Sequence, residues 1–111
     1  MCRTLILTSG KHTAITYCNC CQLLYIWHNN LLLNFTPKDF LTFKKTIENT
    51  SFEDNCLPFP DKKQRIILRT PNDDISFAFT NPELESFKSY LNEAIFMKEV
   101  YTLMGTEPGS H

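Results

Sequence analysis

Glycine is almost missing from this chain: its 111 residues contain only Gly10, Gly105 and Gly109. No spacing among the three makes a phosphate-cradling loop, which removes the usual nucleotide-dependent chemistries. An excess of charge is missing too. Eleven basic residues against twelve acidic ones leave a formal charge of −1, so no nucleic-acid backbone or anionic membrane surface is an expected partner. The one basic cluster, Lys62-Lys63-Gln64-Arg65, reads as a solvated strand start. No apolar run approaches the roughly 18 residues of a membrane span. The opening "MCRTLILTSGKH" has too short a hydrophobic stretch for a secretion signal, and a cytoplasmic location is expected. There, an odd set of five cysteines does not build a disulfide framework, which leaves metal binding, thiol chemistry or packing. Nucleophile elbows and His-Glu metal helices are absent as well. The acid pairs Asp73-Asp74 and Glu83/Glu85 suit turns and helix caps better than general acid-base work.

Aromatic residues, by contrast, are plentiful. Nine Phe, four Tyr and one Trp within a 42% hydrophobic chain are enough for one core, and a length of this order leaves no room for a second. A single domain over residues 1–104 follows, with 105–111 as a disordered tail. A repeat organises it. Displaced by 44 positions, "LLLNFTPKDFLTFKKTI" (31–47) overlies "ISFAFTNPELESFKSYL" (75–91), matching Phe35 with Phe79, Thr36 with Thr80 and Phe43 with Phe87. Leu31, Leu33 and Phe35 alternate as one face of a strand, and so do Ile75, Phe77 and Phe79.

Asn29-Asn30 and Asn72-Asp73-Asp74 supply turns. Thr36-Pro37-Lys38-Asp39 supplies a helix start, and Asn81-Pro82-Glu83 another, shifted by one. Phe40, Phe43 and Ile47, and in turn Leu84, Phe87 and Leu91, form the apolar stripes of the two helices. The predicted order is an N-terminal hairpin (1–20), a first ββα copy (21–48), a polar linker (49–61) and a second ββα copy with an extended helix (62–104). The expected class is α+β, a mainly antiparallel sheet with two helices on one face. Leu23, Tyr25 and Trp27 are expected to face the core with Leu31, Leu33 and Phe35.

The cysteines are the one cluster with chemistry in it. A hairpin closing at Ser9-Gly10-Lys11 pairs Thr8 with His12 and sets Cys2 opposite Cys18. Trp27 facing Leu31 then brings Cys21 level with Pro37, at a helix N-terminus whose partial charge favours thiolate. Cys18-x-x-Cys21 has the knuckle spacing of zinc sites. A site of Cys2, Cys18, Cys21 and Cys56, with Cys20 as the alternative fourth ligand, is one expectation for a zinc ion. His28 is too far along its strand to join it, and His12 sits at the far end of its hairpin. A thiol nucleophile at Cys18 or Cys21 is a second expectation, and cysteines packed as small hydrophobes are a third. At the same displacement the second copy carries Lys62 and Arg65 where the first has Cys18 and Cys21.

Beyond Leu91 the second helix continues with no counterpart in the first copy, and Ile95, Phe96, Met97, Val100, Tyr101, Leu103 and Met104 crowd more than one of its faces. Phe96, Met97, Val100, Tyr101, Leu103 and Met104 are the expected partner surface, most simply for a homodimer. The alternative is that the surplus packs beneath the N-terminal hairpin.

The N-terminal "MC", "YCNCC" entering an aromatic strand, "LLLNFTPKDFLTFK" and "RIILRTPNDDISFAFTNPELESFKSYL" resemble a family of small uncharacterised Bacteroidetes proteins, over residues 2–104. The resemblance implies an intracellular domain without an assigned activity, whose Cys-x-x-Cys matches Cys18 and Cys21, and it adds no catalytic residue. The sequence thus supports a small binding protein with a structural or sensing zinc site. The alternatives are a thiol-dependent redox or transfer enzyme, or a homodimeric interaction module with inert cysteines.

Overall fold

Alternating apolar residues and strong turn signals produce seven strands and three helices in the computed structural model, which describes residues 4–105. Strands β1 (Thr4–Ser9), β2 (Thr13–Cys18), β3 (Leu23–His28) and β4 (Leu31–Phe35) form an antiparallel meander in the order β1-β2-β3-β4. Helix α1 (Pro37–Glu48) follows, then a short helix α2 (Phe52–Asn55). A second antiparallel sheet contains β5 (Leu57–Pro58), β6 (Gln64–Arg69) and β7 (Ser76–Phe79), in that order, before helix α3 (Asn81–Leu103). The fold is α+β with helices packed on the sheets, as the strand-helix pattern implies. The stretch 49–61, which reads as polar linker, holds α2 and β5, with Phe52 packed against the core.

The duplicated positions supply the core. Leu33 and Phe77, Phe35 and Phe79, Phe40 and Leu84, Phe43 and Phe87, and Ile47 and Leu91 are all buried. Both helix starts are also in register. Thr36 caps α1 by accepting the Asp39 N–H at 3.1 Å. Thr80 caps α3, where its N–H and hydroxyl both donate to Glu83 Oε1, at 2.9 and 3.0 Å. Only the proline is shifted between the two starts, since Asn81 occupies the first helical position of α3.

The two copies differ at their first turns. After the turn Leu33 corresponds to Phe77 and Phe35 to Phe79, but before it the structural partners are Leu24 with Ile66, each pairing the last phenylalanine of its hairpin. The displacement is therefore 44 on one side and 42 on the other, because the β6–β7 connection is longer than Asn29-Asn30. By the same pairing Cys18, opposite Leu23, corresponds to Leu57, opposite Arg65, and not to Lys62.

Register also corrects the expected face of β3. Asn29, in left-handed backbone at φ 56°, makes a two-residue turn with Asn30, so Trp27 pairs with Leu32 and His28 with Leu31. One residue of slip exchanges the faces of a strand. Leu24 and Ile26 are buried, whereas Trp27 is 47% exposed on the outer face, away from the core that Leu23, Tyr25 and Trp27 were expected to join.

Helix α3 holds the two sheets together. At 23 residues it is about 34 Å long. It touches both sheets: Phe87 in its first half packs on Phe77 and Phe79 of β7, and Lys98 and Tyr101 in its second half reach Tyr17 of β2 and Ile6 of β1. A bulge in β1 between Ile6 and Thr8 lets Leu7 and Thr8, successive residues, both be buried beneath it.

Candidate functional site

One end of the molecule collects the β2–β3 turn, the start of α1 and the end of α3. The "NCCQ" stretch is a hairpin turn, residues 19–22, closed by left-handed Gln22 at φ 55°. Cys18 ends β2 opposite Leu23, on the outer face, and is only 3% exposed. Cys20 and Cys21 are exposed at the turn tip. Asn19 is buried, and neither polar atom of its side chain has a hydrogen-bond partner among the described residues.

The hairpin closes with Ser9 opposite Ala14, three residues off the expected register, and the β1 bulge takes back one of them, so Thr4 lies opposite Cys18 where Cys2 was expected. Cys2 itself lies outside the described residues. The β3–β4 pairing, extended past the strand ends, brings Gln22 and not Cys21 level with Pro37. Cys56 is elsewhere: it caps α2 and leads into β5, with its sulfur 3.9 Å from the Glu53 carbonyl oxygen.

Among the described residues no group of three or more His, Cys, Asp or Glu side chains could hold a metal ion. The expected zinc site is therefore corrected. Cys18 is buried at the end of β2 while Cys20 and Cys21 are exposed at the turn, and the Cys-x-x-Cys spacing gathers no third ligand among the described residues.

The expected partner surface lies at the same end. Leu103 (88% exposed), Met104 (64%) and Phe96 (62%) project from α3, with Val100 half-buried between them. Met97, Tyr101 and Ile95 turn inward and pack against the core, and the Tyr101 hydroxyl donates to the Ile6 carbonyl at 3.4 Å. The Lys98 ammonium lies 4.8 Å above the centre of the Tyr17 ring, which fixes this half of α3 over β2. Between α1 and α3 runs an apolar groove of about 390 Å³ walled by Leu24, Pro37, Leu41, Ile95 and Leu103.

The opposite end holds a feature that sequence reasoning missed. A cleft of about 320 Å³ is lined by Lys11 and His12 of the β1–β2 connection, His28 at the end of β3, and Glu83, Ser86 and Tyr90 of α3. His28 Nδ1 is 2.9 Å from the Thr13 hydroxyl. Its ring meets Phe77, Phe79 and Phe87 edge-on, with centroids 5.6, 5.2 and 6.0 Å away. Burial among these rings lowers the His28 pKa; Glu83 opposes that shift and His12 adds to it. The backbone and hydroxyl hydrogen bonds from Thr80 lower the pKa of Glu83. Tyr90 closes the back wall against Gly10, where any Cβ would overlap its hydroxyl. Gly10 is thus required by close approach of the helix and not by backbone conformation.

A second cleft, of about 340 Å³, matches the first through the repeat. Asp39, Thr42, Phe43 and Thr46 of α1 stand where Glu83, Ser86, Phe87 and Tyr90 stand, and Thr70-Pro71 stand where His28-Asn29 stand. Each cleft is formed by the helix of one copy and the turn of the other. The copies are therefore crossed, and aligning the turns at the shorter displacement is the sequence signal that would have found the pair.

Among the described residues no helix is long and apolar enough to cross a membrane. No curated protein and no solved structure matches the chain. Residues 1–94 match a family of unknown function, DUF6686, a stretch that contains the cysteine turn and both clefts and stops before the projecting end of α3. The chain belongs to that family.

Proposed function

We propose that the protein is a cytoplasmic interaction module that acts by binding and pairs with a second copy of itself through the end of α3. The supporting observation is the exposure of Phe96, Leu103 and Met104 beside an apolar groove edged by the exposed Leu41. Leaving such side chains in water forgoes about 1.5–3 kcal/mol each. A two-fold axis across α3 lets Leu103 of each copy enter the groove of the other, a self-complementary contact that closes without forming a filament. The buried Cys18 argues against a nucleophile there, since a substrate in solution has no access to it.

Sedimentation equilibrium between about 1 and 100 µM tests this reading over the affinity range of stable dimers. A dimer that becomes monomeric in a Phe96→Glu/Leu103→Glu variant with unchanged circular dichroism is expected. A wild-type monomer throughout that range would overturn it.

A further inference from the structure

We propose that the cleft between the β1–β2 connection, His28 and the first turns of α3 binds a small anion, the carboxylate or phosphate group of a metabolite-sized ligand. This site is separate from the α3 end and does not depend on self-association.

The first argument is what lines it. Lys11, His12, Ser86 and Tyr90 all offer hydrogen-bond donors to the same cleft. Asn29 adds an amide on its rim. Its one carboxylate, Glu83, already accepts from both the N–H and the hydroxyl of Thr80 through Oε1, so capping offsets part of its charge. A volume of about 320 Å³ lies within the range of small-ligand sites.

The second argument is His28. Its ring is held edge-on by three phenylalanines and tied through Nδ1 to the buried Thr13. Where Thr13 donates to Nδ1, the proton of the neutral ring sits on Nε2, which becomes a donor fixed in direction. Such pre-orientation lowers the ordering cost of binding.

The third argument is the internal control. The matching cleft has the same fold, a similar volume and the same buried phenylalanine, but carries Thr70, Thr42 and Thr46 in place of His28, Ser86 and Tyr90. It lacks the N-terminal hairpin that brings Lys11 and His12 to the first cleft, and its one cation is Arg69, which lines it together with Asp39. Duplication alone accounts for two clefts. It does not account for two imidazoles, a lysine and a tyrosine hydroxyl gathered in one of them, where the other has a single arginine and threonines.

Titration calorimetry with inorganic phosphate, and separately with succinate, tests the proposal on the full chain. Saturable binding of either anion is expected. Phosphate alone would identify a phosphoryl group, and succinate alone a carboxylate. Lys11→Ala and His12→Ala, both at exposed positions, should each weaken binding about tenfold by removing a charge-assisted contact. Thr46→Ala, in the matching cleft, should leave binding unchanged. Absence of saturation by both anions up to about 10 mM would overturn the proposal. So would binding that Lys11→Ala and His12→Ala leave intact, or that Thr46→Ala weakens equally.

Discussion

The two crossed clefts were built from the same repeated unit and have diverged in one direction. Phe43 and Phe87 are buried in both, so the packing that sustains the fold has been kept. The rim has not been kept: threonines, a proline and one arginine surround one cleft, while two imidazoles, a lysine and a tyrosine surround the other, each with one carboxylate. Positions that hold the core together tolerate little change in volume. Positions at a cleft rim are free to take on chemistry. The comparison separates residues that this fold needs from residues that it merely positions.

The largest effect should come from the shared core. Phe87→Ala and Phe43→Ala should each cost about 3–5 kcal/mol in denaturant unfolding, because each removes a ring packed among other rings. Similar losses would support equal structural duty in the two copies. A near-neutral result for either would break the symmetry on which the comparison rests. Next comes Gly10→Ala, expected to cost about 1–3 kcal/mol by overpacking against Tyr90. That loss should shrink in a Tyr90→Ala background; an undiminished loss in the double-mutant cycle would mean that the contact is not its cause.

Smaller effects belong to the caps and to pH. Thr80→Ala and Thr36→Ala should each cost about 1 kcal/mol, with Thr80 the larger because its hydroxyl and the Glu83 carboxylate act together. The pH effect follows from the sign of the His28 shift. A lowered folded-state pKa means that the unfolded chain binds more protons below the ordinary value of 6.5, so stability is full above that value and falls as pH drops below it. Glu83 is lowered as well, so its contribution is full above its ordinary value of 4.5 and is lost further into acid. Thermal unfolding from about pH 7 to pH 5 should show the first loss, and His28→Gln should abolish that part while leaving the acid one. A wild-type curve flat through this range would contradict the shift.

Much of the scaffold can be read from residue order. Alternation in Leu31-Leu33-Phe35 and Ile75-Phe77-Phe79, helical stripes, and Thr36 and Thr80 as caps all point to the observed elements, because local periodicity and local hydrogen bonding decide them. The face of β3 cannot be read this way: "LLYIW" is apolar at every position, so alternation is silent and a single residue in the turn decides which side is buried. The same holds for the thiols. A wider β1–β2 turn and a bulge in β1 together move the partner of Cys18 by two positions, and no glycine or proline marks 19–22 as a hairpin turn. The His28 cleft was illegible for another reason. It joins residues from three separated segments, and only the crossing of the two copies brings them together.

The most direct test is a titration with phosphate and another with succinate, each followed by amide chemical shifts at both clefts in the same spectra. The account predicts saturable shifts at 10–13, 28–29 and 83–90 with at least one of the two anions, with 39–46 and 69–71 still. Equal shifts in the two regions, or movement only outside them, would contradict it.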